Sequence, residues 1–196
     1  MIPAIILAAG ASSRMNGRPK ALLRAGDRSF IGRILDTLRQ AGLSEVAVVV
    51  RPGHDEVMRE VEAAGAGRAV VNPRAEAGQL SSLIAGLDAV DEPGIEGVLV
   101  TLVDIPLVTA ATVRTLVARA GRSPAPIVRA VHGGRHGHPV IFARAVFEAL
   151  RHADPAVGAK AVFREFAVEE VEVDDPGVVE DVDTPGDYRR LFNSDC

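Results

Sequence analysis

Tryptophan is absent from the 196 residues, and aromatics together make up only 4% of them. With 47% of the chain hydrophobic, the core must be built from Ala, Val, Leu and Ile, as in sheets covered by helices on both faces. The length suits one well-cored domain, residues 1–196, and is short for two. The single cysteine, Cys196, is the last residue, which excludes an internal disulfide and a cysteine metal site. A basic surplus is also missing. The net charge is −4 with both signs interspersed, so there is no footprint for nucleic acid and no polybasic membrane patch. The apolar run at residues 2–9 is too short to span a bilayer and has no basic leader. The expectation is a cytoplasmic protein with neither nucleic-acid nor membrane partners.

What is present is a rhythm. Residues 5–8, 46–50, 69–71 and 98–103 are β-branched apolar runs, and between them residues 30–41, 55–64 and 80–90 carry a helical period, as do residues 109–120. This alternation predicts a parallel sheet with right-handed crossovers. It then changes. Residues 127–131 and 139–142 read as strands joined by HGGRHGH, followed by a strand at 168–173 and a closing helix at 185–192. The fold class is therefore α/β, a single-domain Rossmann-like three-layer sandwich around a mixed, mostly parallel sheet.

The first strand runs into a loop of eleven residues, Gly10 to Lys20, that is rich in small residues yet carries Arg14, Arg18 and Lys20. A loop at the carboxyl end of a parallel strand lies where open α/β folds bind ligands. Gly10 permits close backbone approach, Ser12 and Ser13 add hydroxyls, and successive N–H groups can form an anion-binding nest. Arg14 and Lys20 supply the charged donors that phosphate needs. Neither GxxxxGK[ST] nor GxGxxG is present. A solvated basic loop is the alternative.

Asp104 ends the apolar stretch GVLVTLVD, with Pro106 behind it, at the same sheet edge. A carboxylate there is a natural Mg²⁺ ligand; a turn aspartate is the plain alternative, although Thr109 is the better-placed helix cap. In VVEDVDTPGDY three acids, Glu180, Asp181 and Asp183, crowd together and repel unless a cation is near. Asp183 is the first choice as partner to Asp104, and Asp187 suits the start of the closing helix. In NPRAEAGQLSSL, Asn72, Gly78, Gln79, Ser81 and Ser82 can read a base or ribose, or Ser81 and Ser82 can cap the helix. Among the histidines of the hairpin, zinc binding lacks the usual ligand spacing; a substrate contact by His138 is the better expectation.

These residues together carry a resemblance. LAAGASSRMNGRPKALL is similar to the signature LAAGxSxRMGxxKxLL of the nucleotidyltransferases that act on molybdenum cofactor. NPRAEAGQLSSLIAGL, TLVDIPLVT, GHPVIF and VEDVDTPGDY follow in the family's order, over nearly the whole chain. The resemblance implies a fold of the nucleotide-diphospho-sugar transferase type. It implies that Leu7, Ala8, Ala9 and Gly10 contact the nucleotide, that Arg14 and Lys20 hold its phosphates, and that Asp104 and Asp183 bind Mg²⁺. LAAG rather than LAGG is the form of the CTP users, so the implied reaction is CMP transfer to the terminal phosphate of molybdopterin, with a molybdenum hydroxylase as a potential protein partner. Asn16 lengthens the loop by one residue relative to the signature, and PAVGAK at 155–160 lacks the family's Asp. Two other readings stand beside this one: transfer to a sugar or polyol phosphate, and a non-catalytic nucleotide-binding chaperone for cofactor delivery.

Overall fold

The structure, a computed structural model, describes residues 1–12, 15 and 18–193. In chain order the first half comprises β1 (Ala4–Leu7), a two-strand ribbon of β2 (Arg24–Ala25) and β3 (Arg28–Ser29), α1 (Phe30–Gln40), β4 (Val46–Val50), α2 (Asp55–Ala64), β5 (Arg68–Val71) and α3 (Gln79–Val90). The second half comprises β6 (Gly97–Leu102), α4 (Ala110–Ala120), β7 (Ile127–His132), β8 (Arg135–Ala143), α5 (Phe147–His152), α6 (Val162–Glu165), β9 (Val168–Glu172) and α7 (Pro185–Phe192). No helix among the described residues is long and apolar enough to cross a membrane.

The seven long strands form one sheet in the order β5-β4-β1-β6-β8-β7-β9. β1 is parallel to β4 and β6, and β8 alone runs antiparallel, between β6 and β7. Alternation along β1 divides the core. Ala4 and Ile6 pack on the face covered by α1, α2 and α4, whereas Ile5 and Leu7 pack on the face covered by α3 and α5. Both faces are thus dry, and the central strands need no polar alternation.

The mixed, mostly parallel sheet matches the sequence expectation; the hairpin differs in detail. Only Gly133 and Gly134 lie between the strands, with φ of +57° and +73°. Two consecutive positive φ values are what a two-residue hairpin turn requires, and glycine takes them without strain. His136 and His138 therefore belong to β8 and not to a loop. The β2–β3 ribbon, α5 and α6 were not expected from the sequence. Each is shorter than the window over which a hydrophobic period can be recognised.

The starts of α4 and α7 follow their caps. Thr109 accepts from the N–H of Thr112 at 3.3 Å, and Thr184 and Asp187 form a reciprocal capping box before Pro185. Asp175, 5% exposed, was not singled out by the sequence. It accepts from the Thr109 N–H and hydroxyl, each at 2.9 Å, from the Thr112 hydroxyl at 2.6 Å and from the Gly177 N–H at 3.1 Å. One carboxylate therefore ties the segment after β9 to the start of α4. Asp175→Ala strands buried donors and should destabilise the fold by about 2–3 kcal/mol, lowering Tm by roughly 5–10 °C. A melting curve within a degree of wild type would show that the network contributes nothing.

Candidate active site

The chain leaves β1 for β4 and β5 on one side and returns to β6 on the other, so β1 and β6 bracket the switch point of the sheet. Leu7 pairs with Leu102 at the ends of these strands. The loop after Leu7 and the turn holding Asp104 therefore leave the sheet side by side. Asp183 arrives from far along the chain and is fixed by its neighbour: the Val182 N–H donates to the Asp104 carbonyl at 2.8 Å. Val182 itself is fully buried with Met15, Leu23, Phe30 and Tyr188. Tyr188 donates its hydroxyl to the Arg24 carbonyl at 2.7 Å and stacks on Phe30 with centroids 6.1 Å apart. The few aromatics are thus used partly to fasten the Asp183 segment to the elements that follow Lys20.

Lys20 lies between the two acids. Its Nζ donates to Asp104 Oδ2 at 3.0 Å and to Asp183 Oδ1 at 2.6 Å, with only 12% of the side chain exposed. Burial by itself pushes the ammonium down, but the hydrogen bonds and charges of Asp183 and Asp104 outweigh it and hold the pKa above the ordinary lysine value. Lys20 is therefore a full cation at neutral pH. Its backbone N–H donates to the Ser12 hydroxyl at 3.2 Å, closing the loop at its base. Ser13, Arg14 and the extra Asn16, all expected in this loop, lie outside the described residues.

Asp104 Oδ1 is buried and has no hydrogen-bond partner among the described residues. An orphaned carboxylate oxygen beside a second carboxylate that converges on the same cation fits a hard divalent ion. No group of three His, Cys, Asp or Glu side chains able to hold a metal occurs among the described residues. Two carboxylates completed by phosphate oxygens and water is the usual arrangement for Mg²⁺. Two other acids of this run are engaged elsewhere: Glu180 with Arg190 at 3.5 Å, and Asp187 in the cap of α7.

A cavity of about 580 Å³ opens above these groups. Leu7, Ala8, Ala9, Gly10 and Ser12 form its floor loop, and Lys20, Asp104 and Asp183 stand at one side. Gly78, Gln79 and Ser82 form another wall at the start of α3. That helix has no side-chain cap, so its first N–H groups are left for a ligand or water. Gly78 there adopts φ +93°, ψ −176°, a conformation open to glycine alone. Asn72 and Ser81 stand behind this wall. Asn72 is 2% exposed, and its amide donates to Ser81 at 2.9 Å and to Ser82 at 3.1 Å. Ser81 donates to the Gly78 carbonyl, so neither serine caps α3.

A second cavity, about 510 Å³, meets the first along Leu7, Gly78, Gln79 and Leu102. Phe142, Phe163 and aliphatic side chains line it, together with Arg129, His138 and Lys160; no carboxylate lines it among the described residues. Arg129 is held by Glu170 at 2.5 Å and lies 5.2 Å from the centre of the Phe163 ring. Burial, and secondarily the charge of Arg129, pushes His138 down to about 4, so it is a neutral imidazole at physiological pH. In an acidic chain, this pocket suits an anionic ligand with a flat or apolar body.

The family model of the MobA-like NTP transferase domain matches residues 4–172. The chain belongs to this family of nucleotidyltransferases. Among curated relatives, the bifunctional protein GlmU of Azorhizobium caulinodans is 35% identical over 141 residues, 71% of this chain but 31% of that protein. The match thus spans about a third of the length of the curated relatives. Among solved structures, Rv0371c from Mycobacterium tuberculosis is 33% identical with a TM-score of 0.80, over 98% of this chain and 97% of that one. A complex of Rv0371c with manganese is similar over 98% of each chain, at 30% identity and a TM-score of 0.77.

Within this MobA-like domain, sequence reasoning missed Arg51 and Glu76, which pair with each other in the wall of the first cavity. A signal for Arg51 exists: it is the first residue after β4, at the same ligand-binding edge as Gly10 and Asp104. For Val182 and Tyr188 there was none, because their role lies in which segments they join.

Proposed function

We propose that the chain transfers CMP from CTP to the terminal phosphate of molybdopterin and releases pyrophosphate. The observation that carries this reading is the convergence of Asp104 and Asp183 on Lys20 beside the Gly10 loop, in a cavity that opens into a second, cationic and partly aromatic one. Mg²⁺ held by Asp104 and Asp183 would neutralise charge on the triphosphate and its leaving group; the manganese complex of a similar protein supports a divalent cation here. Lys20 offers a charged donor to the phosphates, and the Gly10 loop offers backbone N–H groups. An oxygen of the acceptor phosphate attacks the α-phosphorus of CTP as the bond to the pyrophosphate oxygen breaks. The second pKa of a phosphate monoester is about 6, so the nucleophile is already ionised and no general base is required. What the protein supplies is alignment and charge neutralisation. Arg129, Lys160 and the neutral His138 are placed to orient an anionic acceptor with a planar ring system.

Base choice falls to the opening loop. Ala9 lines the first cavity and is 6% exposed. Its methyl group restricts the backbone where glycine would leave it free, and a tighter site favours a pyrimidine. CTP should exceed GTP and ATP in kcat/KM by about 10–200-fold, the scale of a small steric difference, and Ala9→Gly should narrow the gap. Pyrophosphate release with the three triphosphates, each with molybdopterin and with a panel of sugar and polyol phosphates, tests both halves of the proposal. Preference for GTP or ATP overturns the cytidylyl reading, turnover only with the sugar or polyol phosphates overturns the acceptor, and binding without any turnover supports a delivery chaperone.

A further inference from the structure

We propose that Lys20 is a placeholder for the divalent cation, so that the free chain binds the cation weakly until a triphosphate draws the lysine away. This rests on Asp104 and Asp183 as the cation ligands. The ammonium contacts one oxygen of each carboxylate, at 3.0 and 2.6 Å, and is largely shielded from solvent. A Mg²⁺ ion joined at about 2.0–2.1 Å to the same two oxygens would lie against that ammonium, and the two positive charges would repel. Both cannot stay. The backbone of Lys20 is held on each side, its N–H by the Ser12 hydroxyl and its carbonyl by the Leu23 N–H at 3.0 Å. Only the side chain is free to leave, and its flexible stem opens onto the 580 Å³ cavity where phosphates would receive it. Cation and triphosphate then enter together, and the carboxylates stay neutralised in both states.

The chain has just two lysines, Lys20 and Lys160, which makes the swap observable. Mn²⁺ titrated into the full chain without nucleotide, with the free ion counted by electron paramagnetic resonance, should bind Lys20→Met on the order of tenfold or more tighter than wild type. Apparent affinity falls with the fraction of molecules whose ligands are available, and a pairing occupied nine times in ten gives about that factor. Reductive methylation with ¹³C-formaldehyde supplies a second readout on a lysine that keeps its charge and one N–H donor. Saturating Mg²⁺ alone should move the Lys20 methyl signal and leave that of Lys160 in place. Mn²⁺ binding to Lys20→Met no tighter than wild type, or a Lys20 signal that Mg²⁺ does not move, overturns the placeholder. Asp104→Asn and Asp183→Asn test what lies beneath it: both should weaken Mn²⁺ binding, and unchanged binding removes the carboxylate assignment and the placeholder together.

Discussion

Asp104→Ala should lower kcat for pyrophosphate release by a hundredfold or more while the chain stays folded. The loss is of a carboxylate that we propose holds the ion neutralising the reacting phosphates, and removing one electrostatic stabiliser costs about 2.7–4 kcal/mol in comparable sites. Little stability should go with it. Asp104 lies just beyond the end of β6, its Oδ1 makes no hydrogen bond among the described residues, and Lys20 retains Asp183. Removing a buried oxygen without a partner offsets part of the lost ion pair. The Val182 N–H still reaches the carbonyl at position 104, because that contact is made by the backbone. Turnover with Mg²⁺ and with Mn²⁺, beside a melting curve, checks this; activity within a few-fold of wild type would remove Asp104 from the site.

Lys20→Ala should lower kcat/KM for the triphosphate by roughly a hundredfold, since the shielded charged donor that we propose for the phosphates is lost. Arg39→Ala is the control. Arg39 is 61% exposed on α1 and pairs only with Asp36 at 2.9 Å among the described residues, so its loss should change the rate less than twofold. Equal, small effects at both positions would return the opening loop to a solvated basic segment. Lys20→Ala, like Lys20→Met, should raise affinity for the bare cation while lowering use of the triphosphate, and the opposite signs separate this mechanism from a general loss of structure.

Much of the site was legible because it follows from strand ends. In a parallel sheet every strand's carboxyl end faces the same edge, so Gly10, Gly78 and Asp104 could be placed together from their positions after apolar runs. The two-residue strands, α5 and α6 were not legible, because a few residues carry no period. Asn72 was legible as a polar residue of the right segment, but not as one whose amide is engaged behind the wall. Composition names the donors and acceptors of a loop without saying which of them turn inward.

The class of fold, and the switch-point loop and two carboxylates as candidates, could be read from the sequence, since periodicity and local chemistry are properties of short stretches. Three things were decided only by tertiary structure. The sheet register sets Leu7 beside Leu102, which brings the two loops into contact. The Met15, Phe30, Val182 and Tyr188 cluster carries Asp183 across the chain to Asp104. The ion pairs of Lys20 join residues 84 and 163 positions apart. Charges so distant in sequence attract one another only after the hydrophobic core has brought their backbones together, and no local pattern records that outcome.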